Sequence, residues 1–210
     1  MTPFTQHRGV ALPLLRDNID TDAIIPSREM RTVSRSGLAA GLFAPWRYLD
    51  PDARTPNPEF ALNQLEHSGA SILLAGDNFG CGSSREHAVW ALMESGFRAV
   101  IAPSFATIFR NNAMRNGLLT VALEQYELDE LVAWVSADPV THTIKLDLET
   151  CTIESNPDRD KKVFSVDPTA RDMLLEGLDE IGLTEQSIDL VARFEEQDQA
   201  LRPWVYLSSD

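Results

Sequence analysis

Three shortages limit what this chain can be. Of its 210 residues only Cys81 and Cys151 are cysteine, seventy positions apart. A disulfide framework is therefore not expected. A structural zinc site or a complete iron-sulfur site is not expected either, since each needs three or four converging thiolate or imidazole ligands. Any metal involved must be held by another chain. The second shortage is of long apolar runs: none approaches the roughly 18 residues of a membrane span. The opening MTPFTQHRGV also lacks the charged and apolar regions of a signal peptide. A cytoplasmic protein with no membrane partner is expected. The third is of basic charge: 18 Lys and Arg face 32 Asp and Glu, a formal net charge of −14. That field repels polyanions, so nucleic acid is not an expected partner. It does not exclude a small dianion, because a few arginines in one cleft can outweigh a distant average.

Against these shortages, 43% of the residues are hydrophobic, enough for a normal core in a chain of this length. We expect one domain over residues 1–210, without internal repeats. Ser71 to Ala75 reads as a buried strand, followed by a glycine-rich loop and a helix from about Ser84 to Ser95 that ends at Gly96. Ala99 to Ala102 reads as a second strand. Ser104 can cap a helix carrying Phe105, Ile108 and Phe109, which Asn116-Gly117 closes before a third strand, Leu118 to Leu123. Strand, crossover helix, strand, twice over, is the pattern of parallel βαβ units with both sheet faces covered. The expected class is α/β.

Outside that core, Val10 to Leu15, Thr143 to Glu149 and Val163 to Val166 read as strands, and Glu127 to Ser136 as a helix. A helical C-terminal extension at about 168–203 is expected from Pro168 to Leu175 and Thr184 to Leu201. Asp17 to Ser27 reads as a polar loop. A long irregular excursion is expected at about 28–63, and loops of that length are usually functional or disordered.

The most informative stretch is Gly76-Asp-Asn-Phe-Gly80-Cys-Gly82-Ser-Ser-Arg85-Glu-His87. It runs from a strand end into a helix start, where open parallel sheets bind ligands. Helix N-terminal amides favour an anion there. Arg85 stands where a dinucleotide fingerprint needs its third glycine, and the P-loop Gly-Lys-Ser/Thr is absent. Cys81 stands where a nucleophile elbow needs glycine. On spacing alone Ser83 with Glu86 also matches a capping box, which would make Ser83 an ordinary helix cap. His87 equally reads as a helix histidine, and Cys81 as a packing residue.

The stretch Asn78-Phe-Gly-Cys-Gly-Ser-Ser-Arg-Glu-His-Ala88 resembles the signature of the aconitase swivel domain, in its isopropylmalate dehydratase form. Three further stretches agree with it: Asn18-Ile-Asp-Thr-Asp-Ala-Ile-Ile-Pro26, Ser34-Arg-Ser-Gly37 leading into Leu42 to Leu49, and Ala102-Pro-Ser-Phe-Ala-Thr-Ile-Phe-Arg-Asn-Asn112. The similarity covers roughly residues 5 to 200. It implies a swivelling domain, layered β/β/α around the parallel core. It also implies a hydro-lyase that moves a hydroxyl between neighbouring carbons of a small dicarboxylate. In that family the Lewis acid is a [4Fe-4S] cluster on a separate large subunit, the partner expected here, and this chain carries no metal.

By the same resemblance Ser83 is the base, Ser84 a donor to substrate or to Ser83, and Arg85 both a source of positive charge and a carboxylate clamp. Asp22 matches a polar active-site position, with Thr21 beside it and His87 behind. The segment from Arg28 to Gly37 is the candidate for substrate selection, with Arg35 or Arg28 reaching a carboxylate and nearby apolar groups accepting the isopropyl moiety; a solvated basic loop is an equal reading for Arg28. Close relatives acting on methylmalate or homocitrate would share the catalytic loop. A non-enzymatic module in which Ser-Ser-Arg holds phosphate or sulfate is the rival from another class.

Overall fold

The computed structural model describes residues 1–30, 35–157 and 159–206. The chain opens with β1 (Gln6–Gly9) and β2 (Ala11–Leu14). The expected polar loop from Asp17 to Ser27 instead holds a one-turn helix, α1 (Thr21–Ile24), whose start is fixed by the Asp20 carboxylate accepting from the Ala23 N–H at 2.6 Å. Ile19, Ile24 and Ile25 are buried beneath it. Their irregular spacing gives neither a helical nor a strand period, which is why the polar residues dominate the sequence reading.

The excursion that follows is likewise more regular than expected. It contains α2 (Ala44–Arg47) and a hairpin of β3 (Tyr48–Asp50) with β4 (Thr55–Pro56). Its prolines divide it into short turns, yet Leu38, Leu42, Phe43 and Phe60 all enter the core. Ser34, which opens the Ser34 to Gly37 stretch, lies outside the described residues.

The parallel core forms as the periodicity implies, from β5 (Ile72–Ala75), α3 (Glu86–Glu94), β6 (Ala99–Ala102), α4 (Thr107–Asn116) and β7 (Leu119–Ala122). Strand order is β2-β5-β6-β7, every pair parallel. Alternation along the strands divides the core in two. Leu12, Leu73 and Val100 face a layer with Ala88, Leu92 and Phe109 of α3 and α4. Ile72, Leu74 and Ile101 face the opposite layer. Two crossovers of one hand, each advancing one strand, place both helices on the same face. Burial of each large aliphatic side chain here contributes about 1.5–3 kcal/mol.

The other face is covered by α5 (Gln125–Ala137) and by an antiparallel sheet of β1 with β8 (Ile144–Asp147), β9 (Thr152–Glu154) and β10 (Lys162–Val163). Leu128, Leu131 and Val135 of α5 pack there with Ile144, Leu146 and Ile153. The outcome is a mixed α/β fold with sheets on two levels and helices outside. α6 (Pro168–Glu176) follows, fixed by Asp167 at its start and Gly177 at its end. The single helix expected from Thr184 to Leu201 is two, α7 (Glu180–Glu185) and α8 (Ile188–Leu201), separated at Gln186-Ser187. The strand expected to reach Val166 stops at Val163. Among the described residues no helix is long and apolar enough to cross a membrane.

Candidate active site

The connections leaving β2, β5 and β6 meet at the carboxyl ends of the parallel strands. The Asn18 N–H donates to the Asp77 carbonyl at 2.8 Å, the Gly80 N–H to Ile19 at 2.8 Å and the Thr21 N–H to Cys81 at 2.9 Å. The third connection joins through Phe79, whose N–H donates to the Ser104 carbonyl and whose carbonyl accepts from Ala106. Two non-glycine residues with positive φ, Asn18 at 56° and Asn78 at 54°, face each other, the Asn78 amide donating to the Asn18 side-chain oxygen at 2.9 Å. Asparagine tolerates the left-handed region because its short polar side chain bonds locally. Gly80, at φ 77°, is required more strictly: a Cβ there would lie 2.2 Å from Phe109 Cγ.

Ser104 does not cap α4, as the sequence suggested. The cap position is Ala106, without a side-chain bond, and the Ser104 hydroxyl instead bridges the loops, donating to Asp77 Oδ1 at 2.5 Å and accepting from the Asn78 N–H at 3.0 Å. The residues around Ser83 bring a second correction. α3 starts at Glu86, its cap position is Arg85, and no side chain caps it. The capping box of Ser83 with Glu86 does not form, since Glu86 is engaged by the Asn116 amide at 2.7 Å. Among the described residues the first-turn amides of α3 thus have no side-chain acceptor, the condition for receiving an anion.

Ser83 and Ser84 are exposed at this helix start. The backbone of Ser83 is fixed on both sides of its carbonyl, which accepts from the Thr21 hydroxyl at 2.9 Å and from the Arg85 N–H at 2.8 Å. Thr21 is itself buried, 2% exposed. The Arg85 guanidinium, a quarter exposed, is hydrogen-bonded to the Asp22 carboxylate. Asp22 comes from α1 and Arg85 from the start of α3, so tertiary contact alone joins them. Ser83, Ser84, Arg85, Asp22 and Thr21 therefore form one group.

The remaining sequence candidates lie in other surroundings. His87 packs on Trp90, ring centroids 4.8 Å apart, and the Arg35 guanidinium lies 5.0 Å from the Trp90 ring centroid. Arg28 is 3.6 Å from Glu29 and lines a groove of about 440 Å³ with Ser36, Leu38, Asp52 and Arg54. The sequence reading missed Glu94, whose carboxylate accepts the N–H groups of Gly37, Leu38 and Ala39 at 2.6, 2.5 and 2.8 Å. These bonds, Gly37's first, hold the Glu94 carboxyl below its ordinary value. A lone glutamate in the last turn of a helix carries no sequence signal of such a role.

A cluster does not fit this chain's donors. Desolvation, and then the charge of Asp20, push the Cys81 thiol up, which favours its protonated form. Cys151 lies at φ 52° in the turn between β8 and β9, its sulfur 3.5 Å from the Leu148 carbonyl. Among the described residues no three or more His, Cys, Asp or Glu side chains converge as a metal site.

Comparison with known proteins places the chain in a family. Residues 1–126 match the Aconitase C-terminal domain family. The chain is 55% identical over 206 residues to the 3-isopropylmalate dehydratase small subunit of Cupriavidus necator, covering 98% of this chain and 99% of that one. It is 48% identical over 212 residues to the protein of the same name from Methylibium petroleiphilum, covering 98% and 97%. Among solved structures, 3-isopropylmalate dehydratase from Methanocaldococcus jannaschii superposes with a TM-score of 0.64 at 29% identity, over 90% of this chain and 99% of that one. By this kinship along nearly the whole length, the chain belongs to the 3-isopropylmalate dehydratase small-subunit family of the aconitase superfamily.

Proposed function

We propose that this chain, as one swivel-type domain in the cytoplasm, is the small subunit of an enzyme that interconverts 2-isopropylmalate and 3-isopropylmalate through isopropylmaleate in leucine biosynthesis. Dehydration needs a base for a weakly acidic C–H beside a carboxylate, a clamp for that carboxylate, and an electrophile for the departing hydroxide. Ser83 is the base. Its hydroxyl is a weak acid, and the Arg85 charge two residues on, with the amino end of α3, favours the anionic oxygen. Arg85 clamps a substrate carboxylate through its planar fork. Asp22 holds that fork until substrate arrives, Thr21 fixes the Ser83 backbone, and Ser84 donates to substrate. His87 supports α3 from behind through Trp90. Arg35 or Arg28 meets the second carboxylate. The electrophile is assigned to a large subunit carrying the 4Fe-4S cluster.

The observation that carries this reading is that Ser83 is exposed beside Arg85 and is not the cap of α3. A capping serine replaced by alanine costs about 1 kcal/mol of stability and leaves turnover intact. As base, Ser83→Ala should lower turnover by roughly 10² to 10⁴ in assembled enzyme, with little change in stability. Near-normal turnover by the variant in a cluster-loaded complex would refute the assignment.

A further inference from the structure

The C-terminal helices leave an apolar surface uncovered. Ile188, Leu190, Phe194 and Leu201 of α8 are 59%, 65%, 61% and 75% exposed; Ile181 of α7 is 69% exposed, and Trp204, just beyond α8, 75%. Among the described residues α8 buries no apolar side chain; its one buried residue is Asp198, which accepts from Arg202 Nε at 2.6 Å and Tyr206 Oη at 2.9 Å. A 14-residue helix of mixed composition is marginal alone in water, and most helical stability comes from packing an amphipathic face. At 3.6 residues per turn Leu190, Phe194 and Leu201 share one face of α8, and large exposed apolar patches mark interaction surfaces.

Two observations identify what covers it. The first is charge: between Glu176 and Leu201 the chain carries eight acidic side chains and one base, Arg193. A second copy would set like charges face to face within a chain already at −14. The second is position. α7 is held to α4 by Glu180, which accepts from Arg115 Nε at 3.0 Å. Ile181 lines one cavity of about 540 Å³ with Arg35, Glu86 and Asn116, on the flank of the helix that begins at the candidate active site. A partner that closes the exposed Ser83 loop from that side meets α7 next, and α8 follows α7 directly after Gln186-Ser187.

We propose that α7 and α8 form a docking surface for the large subunit, which covers the apolar stripe with an apolar groove and meets its acidic border with basic side chains. This rests on the function proposed above only for the identity of the partner. The full-length chain and its Phe194→Ser/Trp204→Ser and Glu195→Lys/Glu196→Lys variants would be titrated with the large subunit from the same source by calorimetry at low and high salt. Isopropylmalate turnover would be measured at saturating subunit. The first variant should bind at least tenfold more weakly at both salts. The second should weaken binding mainly at low salt, because exposed charges are screened. Turnover of each saturated complex should stay at the wild-type value.

Hydrogen exchange on the unmodified chain gives a reading that does not depend on any variant folding: α8 amides should gain protection when the large subunit is added. Unchanged affinity in both variants, or unchanged exchange in α8, would overturn the proposal. So would self-association of the chain alone that Phe194→Ser/Trp204→Ser abolishes, since the occupant would then be a second copy. A wild-type complex that assembles through this surface but does not turn over isopropylmalate would remove the proposed function and leave the docking surface standing.

Discussion

Glu94 joins two parts of the molecule that nothing in the sequence links. Its carboxylate takes the N–H groups of Gly37, Leu38 and Ala39, so the loop following Arg35 is fastened to the far end of α3, the helix that starts at Glu86. Charge-assisted bonds of this kind are about twice as strong as neutral ones. Glu94→Gln should therefore speed amide exchange at residues 37 to 39 at neutral pH while the β5 to β7 core stays protected. Because folding lowers the carboxyl from its ordinary 4.5, the bonds contribute stability fully above that pH and lose it as pH falls through the lowered value. The stability difference between wild type and Glu94→Gln, from denaturant unfolding, should accordingly shrink on acidification. A difference that grew towards acid would show the sign to be wrong.

Between β5 and α3 the backbone, more than any side chain, sets the site. Gly80 sits at φ 77° against the Phe109 ring, and its N–H reaches the Ile19 carbonyl, so one residue ties the loop of the candidate site to both α4 and the segment before α1. Gly80→Ala combines left-handed strain with overpacking and should cost at least about 2 kcal/mol in denaturant unfolding. A loss below about 0.5 kcal/mol would mean that the ring moves aside freely. The same loop shows how far local pattern reaches. The glycines, the helix at about Ser84 and the strand before it were all legible, because each depends on neighbouring residues. The capping box was not: Ser83 and Glu86 have the right spacing, but the Asn116 amide takes Glu86 and Thr21 takes the Ser83 carbonyl, both from distant segments.

For the whole molecule, the donor set makes the clearest demand. With Cys81 and Cys151 as its only thiols, in separate layers of the fold, the purified chain should be colourless, free of iron by absorption and metal analysis, and without dehydratase activity. Adding cluster-loaded large subunit should restore turnover; a brown, active preparation of this chain alone would contradict the division of labour. Composition and periodicity determined the α/β class and the order of β5, α3, β6, α4 and β7, since apolar runs and helix-ending glycines act within a few residues. The motif around Ser83 to Arg85 indicated where the candidate site lies, because open parallel sheets bind ligands where strand ends run into helix starts. Tertiary structure alone decided that Asp22 meets Arg85, that Glu94 fastens the Gly37 loop, that Arg35 lies over Trp90, and that the helical C-terminus breaks in two with its apolar side outward. Each of those is a contact between segments far apart in the chain, or the lack of one, and hydrogen bonding and burial at such range depend on how the layers stack, which no local spacing encodes.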